Sequence, residues 1–275
     1  MKKAIITEEM PDGPKRGHFS RSRSLNDFNA KFSKNIIEST IRKKRLSGNK
    51  IRVLEIGCGE GRVLMELKKL FPNIELYGIN KKPWDVMQCS ESLKETALHY
   101  KIFKNEELKN INLPKIYFYD AKKLKFKDDF FDIIISQVSI QYIDRKDILL
   151  EEVWRVLKTK GIAFLNVDSR NFIVPDFLYQ ESPRFVVYEK NKVIPLKTFV
   201  KKLRSQGYNL RYDTSFETKR KINRINITIH KNTSKKLKLN LKFDEYSSFD
   251  LQVLNPECNK ESMYWGYRSV FRNVK

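Results

Sequence analysis

Apolar residues along the 275-residue chain recur with two periods, and the places where the period changes outline the fold. From residue 26 to about residue 44, Phe28, Phe32, Ile36, Ile37 and Ile41 fall at helical spacing. They predict one amphipathic helix, begun by Asn26 or Asp27 and ended by Ser47-Gly48-Asn49. Strand-like and helix-like stretches then alternate: strand 51–56, helix 61–70, strand 74–79, helix 84–100, strands 115–119 and 131–136, helix 145–157 and strand 161–167. Such alternation implies a parallel sheet covered on both faces. Beyond Asp168 the pattern changes. Residues 169–183 read as a connection, 185–188 as a short strand, 195–206 as a helix stopped by Gly207, and 208–216 and 222–230 as strands. Residues 231–236 read as a hairpin loop leading into a further alternating stretch, 236–243.

The fold class expected is therefore α/β, Rossmann-like, with a mostly parallel central sheet, helices on both faces and an antiparallel C-terminal extension. Three segments follow: a flexible basic arm over 1–25, where Pro11, Gly13, Pro14 and Gly17 interrupt polar residues; a ligand-binding core over 26–170 that includes the N-terminal helix; and, over 171–275, a completion of the sheet that is also expected to bind the substrate. The segment 263–272, rich in aromatics, is expected to pack on the domain or cap a pocket.

Composition narrows the classes. No apolar run is long enough to span a bilayer and the first thirty residues contain no signal-type apolar core, so cytoplasmic residence is the expectation. Three cysteines and three histidines are too few and scattered for a disulfide framework, a zinc cluster or a histidine-based nucleophile system. The net charge of +22 is uneven: +8 over residues 1–50, +3 over 51–170 and +11 over 171–275. Basic flanks suit a polyanionic partner such as RNA, and lysine enrichment from a biased genome gives the same excess. In the C-terminal half Lys201, Lys202, Arg204, Arg211, Lys219, Arg220, Lys221 and Arg224 are interleaved with Tyr208, Tyr212 and Phe216. They read either as a phosphate-binding face with stacking platforms or as solvated exteriors.

The chemistry centres on residues 53–64, Val-Leu-Glu-Ile-Gly-Cys-Gly-Glu-Gly-Arg-Val-Leu. A strand, a glycine turn and a helix start let backbone approach a nucleotide-like ligand at the carboxyl edge of an open sheet. Gly57, Gly59 and Gly61 form Gly-x-Gly-x-Gly, and Arg62 stands where a dinucleotide turn has its third Gly. That disfavours NAD and FAD, and with them a nucleotide-binding oxidoreductase; the absence of Gly-Lys-Ser/Thr excludes a P-loop.

This string, with Glu55, resembles motif I of the class I S-adenosylmethionine-dependent methyltransferases, and the resemblance extends over about residues 50–170. Strand two ends Leu76-Tyr-Gly-Ile-Asn80, strand three ends Tyr119-Asp120-Ala121, strand four is Phe131-Asp132-Ile-Ile-Ile-Ser136-Gln137, and 150–161 looks like the family's passage into strand five. The resemblance implies S-adenosylmethionine as cofactor, held by Glu55, Gly57, Gly59, Gly61, Asn80, Asp120, Ala121 and Ser136. Asn80 departs from the pattern: an acid usually stands there for the ribose hydroxyls, and an amide brings no charge to them.

Methyl transfer from a sulfonium needs mainly an aligned nucleophile. Gln137, Gln141 and Tyr142, after strand four, are the candidates for the acceptor loop. The stretch 136–142 lacks the Asn/Asp-Pro-Pro-Tyr/Phe of exocyclic-amine methyltransferases, and Cys58 and Cys89 are misplaced for covalent attack. Gln137 and Tyr142 partly resemble the loop of messenger-RNA cap guanine-N7 methyltransferases, although Val138 and Gln141 replace the Phe and His found there. The acceptor stays open between RNA or another polyanion and a small metabolite. A non-catalytic RNA-binding relic of the fold is the third alternative.

Overall fold

The computed structural model describes residues 24–46, 48, 50–83, 87–137, 139, 140, 143, 146–170, 187–189, 192–194, 196–217 and 222–238. Parallel strands β1 (Arg52–Ile56), β2 (Glu75–Asn80), β3 (Lys115–Phe118), β4 (Phe131–Gln137) and β5 (Leu157–Arg170) share one sheet with β8 (Asn209–Glu217) and β9 (Ile222–His230). The order is β3-β2-β1-β4-β5-β9-β8, with β9 antiparallel to β5 and β8 antiparallel to β9. The order reverses between β1 and β4, and the carboxyl edge there is the expected ligand crevice of a doubly wound sheet. A short antiparallel pair, β6 (Val187–Glu189) and β7 (Lys192–Ile194), forms a separate ladder. No helix among the described residues is long and apolar enough to cross a membrane.

The helices are α1 (Leu25–Phe32), α2 (Ile36–Arg45), α3 (Arg62–Leu70), α4 (Leu93–His99), α5 (Lys146–Val156) and α6 (Leu196–Ser205). Alternation along each central strand sends side chains into two cores. Val53, Leu76, Ile133, Ile135 and Phe164 pack with Phe28, Ile37 and Ile41 of α1 and α2 and with Leu64 and Leu67 of α3. On the other face Leu54, Ile79, Ile134, Leu165, Ile227 and Ile229 pack with Leu150, Val153 and Trp154 of α5 and with Val200 and Leu203 of α6.

Several expected boundaries change. The single N-terminal helix is two, because Ser33 is extended and Asn35 is left-handed (φ 55°), a conformation Asn tolerates better than most residues. Buried Asn29 ties the halves together: its Oδ1 accepts from Ile37 N–H and its Nδ2 donates to Glu38. The cap is Ser24 with Asp27 in a capping box, so Ser24 and buried Leu25 belong to the helix rather than to the arm. The long helix expected over 84–100 is a 3₁₀ turn (Ser90–Ser92) followed by the short α4. β5 starts four residues early, and β7 had no apolar alternation to announce it.

The hairpin loop expected over 231–236 is instead a return segment across the second core. Trp154 Nε1 donates to Lys235 O and Tyr208 OH to Lys236 O, each at 2.8 Å, and Leu237 is buried. Residues 236–238 are irregular; 239–243, like the arm over 1–23 and the aromatic segment 263–272, lie outside the described residues. Trp154 is 1% exposed and meets Tyr208 edge to face at 5.0 Å. Trp154→Ala is expected to destabilise the chain by about 3–5 kcal/mol in urea denaturation; a loss under about 1 kcal/mol would show that the return segment repacks freely.

Candidate functional site

The loop after β1 occupies the crevice at the strand reversal. Gly57, Gly59 and Gly61 have φ of 69°, 55° and 74°, values that cost other residues about 1–2 kcal/mol each. Their surroundings differ. A Cβ on Gly57 would lie 1.8 Å from Ser139 Oγ, and one on Gly61 2.2 Å from Leu93 Cδ2, so the segment after β4 and helix α4 close on those two. A Cβ on Gly59 would meet nothing within 4 Å. The open side of the turn is at Gly59. Buried Glu60 ties the turn to α4, its carbonyl accepting from Thr96 Oγ1 and its carboxylate from Tyr100 OH.

Asn80, at the end of β2, holds the turn from below. Gly59 N–H donates to Asn80 Oδ1 and Asn80 Nδ2 donates to Gly59 O, both at 2.9 Å. Gly57 and Cys58 N–H both donate to Ile79 O. The Asn80 amide thus pairs with the peptide of Gly59 as a neighbouring strand would. A carboxylate could accept from Gly59 N–H but could not donate to its carbonyl. The side chain expected to stand in for a ribose-binding acid also fixes the shape of the turn.

Glu55 is buried on the α1 and α3 face of β1, and its Oε2 has no hydrogen-bond partner among the described residues. Burial, and then the nearby Glu66 charge, hold its carboxyl well above the usual carboxylate range. Cys58 is buried too, and burial pushes its thiol up, which fits a packing role rather than attack. Asp120 follows β3; its Oδ1 accepts from Lys122 N–H at 2.9 Å and its Oδ2 lies 3.5 Å from Lys122 Nζ. Ala121 belongs to the second core. Ser136 is fully buried and donates to Ile56 O at 2.9 Å, bolting β4 to β1 rather than reaching into the crevice. Gln137 ends β4, nearly buried, with Nε2 lacking a partner among the described residues. Gln141 and Tyr142 lie outside the described residues.

A family described as a methyltransferase domain matches residues 47–186, half of the chain. The chain belongs to the class I S-adenosylmethionine-dependent methyltransferase family. The chain is similar to the malonyl-[acyl-carrier protein] O-methyltransferase of Bacillus cytotoxicus, 27% identical over 135 residues that cover 49% of this chain and 41% of that one. It is also similar to the ubiquinone biosynthesis O-methyltransferase of Pelagibacter ubique, 26% identical over 162 residues, 58% of this chain and 60% of the relative. The matches thus span only part of these relatives' lengths. Among solved structures it is similar to Haemonchus contortus phosphoethanolamine N-methyltransferase 2 in complex with S-adenosyl-L-methionine (TM-score 0.43, 15% identity, 75% of this chain and 56% of that chain). Another is the PH0226 protein from Pyrococcus horikoshii (TM-score 0.42, 20% identity, 75% and 94%).

Beside Gln137 the chain has a polar row that its sequence did not announce. Asn166, paired with Gln137 across β4 and β5, donates through Nδ2 to Asn226 Oδ1 at 2.9 Å and accepts from Lys31 Nζ of α1 at 2.7 Å. Asn226 Nδ2 donates to the Lys31 carbonyl. Buried amides in otherwise apolar strands were the available signal, but their partner in α1, Lys31, is 135 residues from Asn166 and 195 from Asn226. The basic face expected around 201–224 is altered: Tyr208 is buried against Trp154 and is no stacking platform, and the side chains of Lys202 and of 214–225 are outside the described residues.

Asn80→Asp, which restores an acid, is expected to weaken S-adenosylhomocysteine binding about tenfold by placing two acceptors at Gly59 O. Tighter binding in calorimetry would show that the amide is not holding the turn. Gly59→Val adds about 1–2 kcal/mol of backbone strain, and its side chain fills the open side; binding is expected to be lost with the circular-dichroism spectrum retained.

Proposed function

We propose that the enzyme binds S-adenosylmethionine over the open side of the glycine turn and transfers its methyl group by direct in-line displacement to a small-molecule acceptor beside the end of β4. One observation carries this: two residues before the glycine turn, whose open side is at Gly59, β1 carries a buried carboxyl, Glu55, whose Oε2 has no hydrogen-bond partner among the described residues. A buried polar atom without a partner costs about 1–3 kcal/mol, and the ammonium of the cofactor's methionine end suits a carboxylate there. Glu55, Gly57, Gly59, Gly61, Asp120 and Ala121 would hold the cofactor, while Asn80 and Ser136 act through the turn and the β1–β4 seam. When bound, S-adenosylmethionine supplies a methyl group already activated on a sulfonium sulfur.

The chain's remaining task is to align a lone pair with that methyl group and exclude water. Gln137 and Ser139 flank the turn, with Lys31, Asn166 and Asn226 along the polar row. Among the described residues these are amides, a hydroxyl and an ammonium, which suits an acceptor atom that already carries a free lone pair and needs no base. Gln141 and Tyr142 complete the reading as acceptor-loop groups. The relatives' names, with malonyl and ubiquinone-pathway acceptors, support a small molecule. RNA is the second reading, favoured by the +22 charge; its binding would weaken as salt rises, and salt-independent binding would remove it.

Glu55 gives a pH test. A carboxyl whose folded pKa is raised stabilises the fold in its neutral form; that contribution is complete below the unfolded value of about 4.5 and is lost as pH rises toward the folded value. In cofactor-free protein, the stability of Glu55→Gln relative to the parent is expected to improve from about pH 4 to about pH 8 in urea denaturation. The same variant is expected to bind S-adenosylmethionine about tenfold more weakly. A pH-independent difference would contradict the burial of Glu55, and unchanged binding would contradict its role at the cofactor.

A further inference from the structure

No helix joins β3 to β4: residues 119–130 run as a loop, and Phe126 and Phe130 cover the end of the sheet face that a helix would have covered. The covering is incomplete. A cleft of about 460 Å³ remains, within the range of small-molecule sites. Its aromatic walls include Tyr77 of β2, Tyr117 of β3 and Phe126 of the loop, and Tyr117 is 38% exposed. Lys115 and Lys125 stand at the cleft, Lys115 Nζ 5.8 Å from the Tyr77 ring and Lys125 Nζ 5.2 Å from the Tyr119 ring. None of the eight lining residues is acidic. A neighbouring carboxylate, Glu75, accepts from Tyr77 OH but is paired with Lys50 and Arg52, which hold its pKa down to about 2.

The cleft is also built rather than incidental. Arg155 of α5, clamped by Glu152 and Asp128, donates to the carbonyls of Phe126 and Leu124 at 2.7 Å, which fixes the loop segment carrying Lys125. Phe126 is locked edge to face against Tyr77 and Tyr117, each at 5.7 Å. The cleft floor is set back from the glycine turn: Tyr77 lies three strand residues before Asn80, about 10 Å along β2, and the lining approaches the turn at Tyr119, whose N–H donates to Asn80 O.

We propose that this cleft binds a nucleotide unit, its planar base against the exposed Tyr117 ring and its phosphate between Lys115 and Lys125. Aromatic faces take any base by stacking, and lysines beside them supply the anion contact. The unit comes either free or within a single-stranded nucleic acid, and the two differ in what flanks it.

The test is titration of the full chain with adenosine 5′-monophosphate and, separately, with a short single-stranded oligoadenylate. Both are done with S-adenosylhomocysteine saturating the cofactor turn, so that the adenosine end of the turn does not compete. Saturable binding below roughly 1 mM is expected for at least one probe: the mononucleotide as well as the oligomer indicates a free nucleotide site, the oligomer alone a strand site. Tyr117→Ala and Lys125→Glu are each expected to weaken it about tenfold while leaving S-adenosylhomocysteine affinity unchanged. Both positions are solvent-facing, so the fold tolerates the changes. Absence of binding by both probes overturns the proposal, as does binding that neither variant weakens.

Discussion

The site depends on a reciprocal amide pair between the Asn80 side chain and the Gly59 peptide. Three consecutive alternate residues in left-handed backbone are an unfavourable way to leave a strand, and the turn persists because its surroundings over-determine it. Ser139 closes on Gly57, Leu93 closes on Gly61, and Ile79 O receives two N–H groups. Asn80 makes the two bonds that hold the remaining glycine, whose α-carbon is the one left facing open space. The order of the sheet follows from the same need: β1 and β2 must be neighbours in register, Ile56 beside Ile79, for Asn80 to reach the turn.

The two cores keep β1 in place, but they also isolate Glu55. A buried carboxyl and a nearly buried Gln137 Nε2, each without a partner among the described residues, are local conflicts in a sheet otherwise filled with Ile, Leu and Val. Structural polar groups in the same sheet are treated differently. Asn166, Asn226 and Ser136 are all bonded, and Lys231, also buried, reaches Asp129 and the carbonyl of Leu157. Satisfied amides fasten α1 to β5 and β9, while Glu55 before the glycine turn and Gln137 at the end of the neighbouring β4 keep an atom without a partner among the described residues. That contrast is why Glu55 and Gln137 are proposed as ligand-facing groups.

Much of the sheet was legible because its strands are buried on both faces and its turns carry glycine. The runs at 52–56 and 131–137 have no other comfortable conformation. The N-terminal break was not legible: Phe32 and Ile36 keep helical spacing across it, and only Ser33 and Asn35 mark it. The cofactor turn was read from Gly57, Gly59 and Gly61, but the second task of Asn80 was not, since a side chain bonding a peptide 21 residues earlier leaves no periodic trace. Tyr208 misled for a related reason. Its position among lysines suggested a surface, whereas Trp154 and the return segment over 231–238 bury it.

The most direct measurement is transfer of a labelled methyl group from S-adenosylmethionine by the purified chain into fractionated small molecules and RNA from cell extract. Label entering the small-molecule fraction, and lost in Gly59→Val, is the expected result. The absence of label in every fraction, with cofactor bound, would contradict catalysis at this turn.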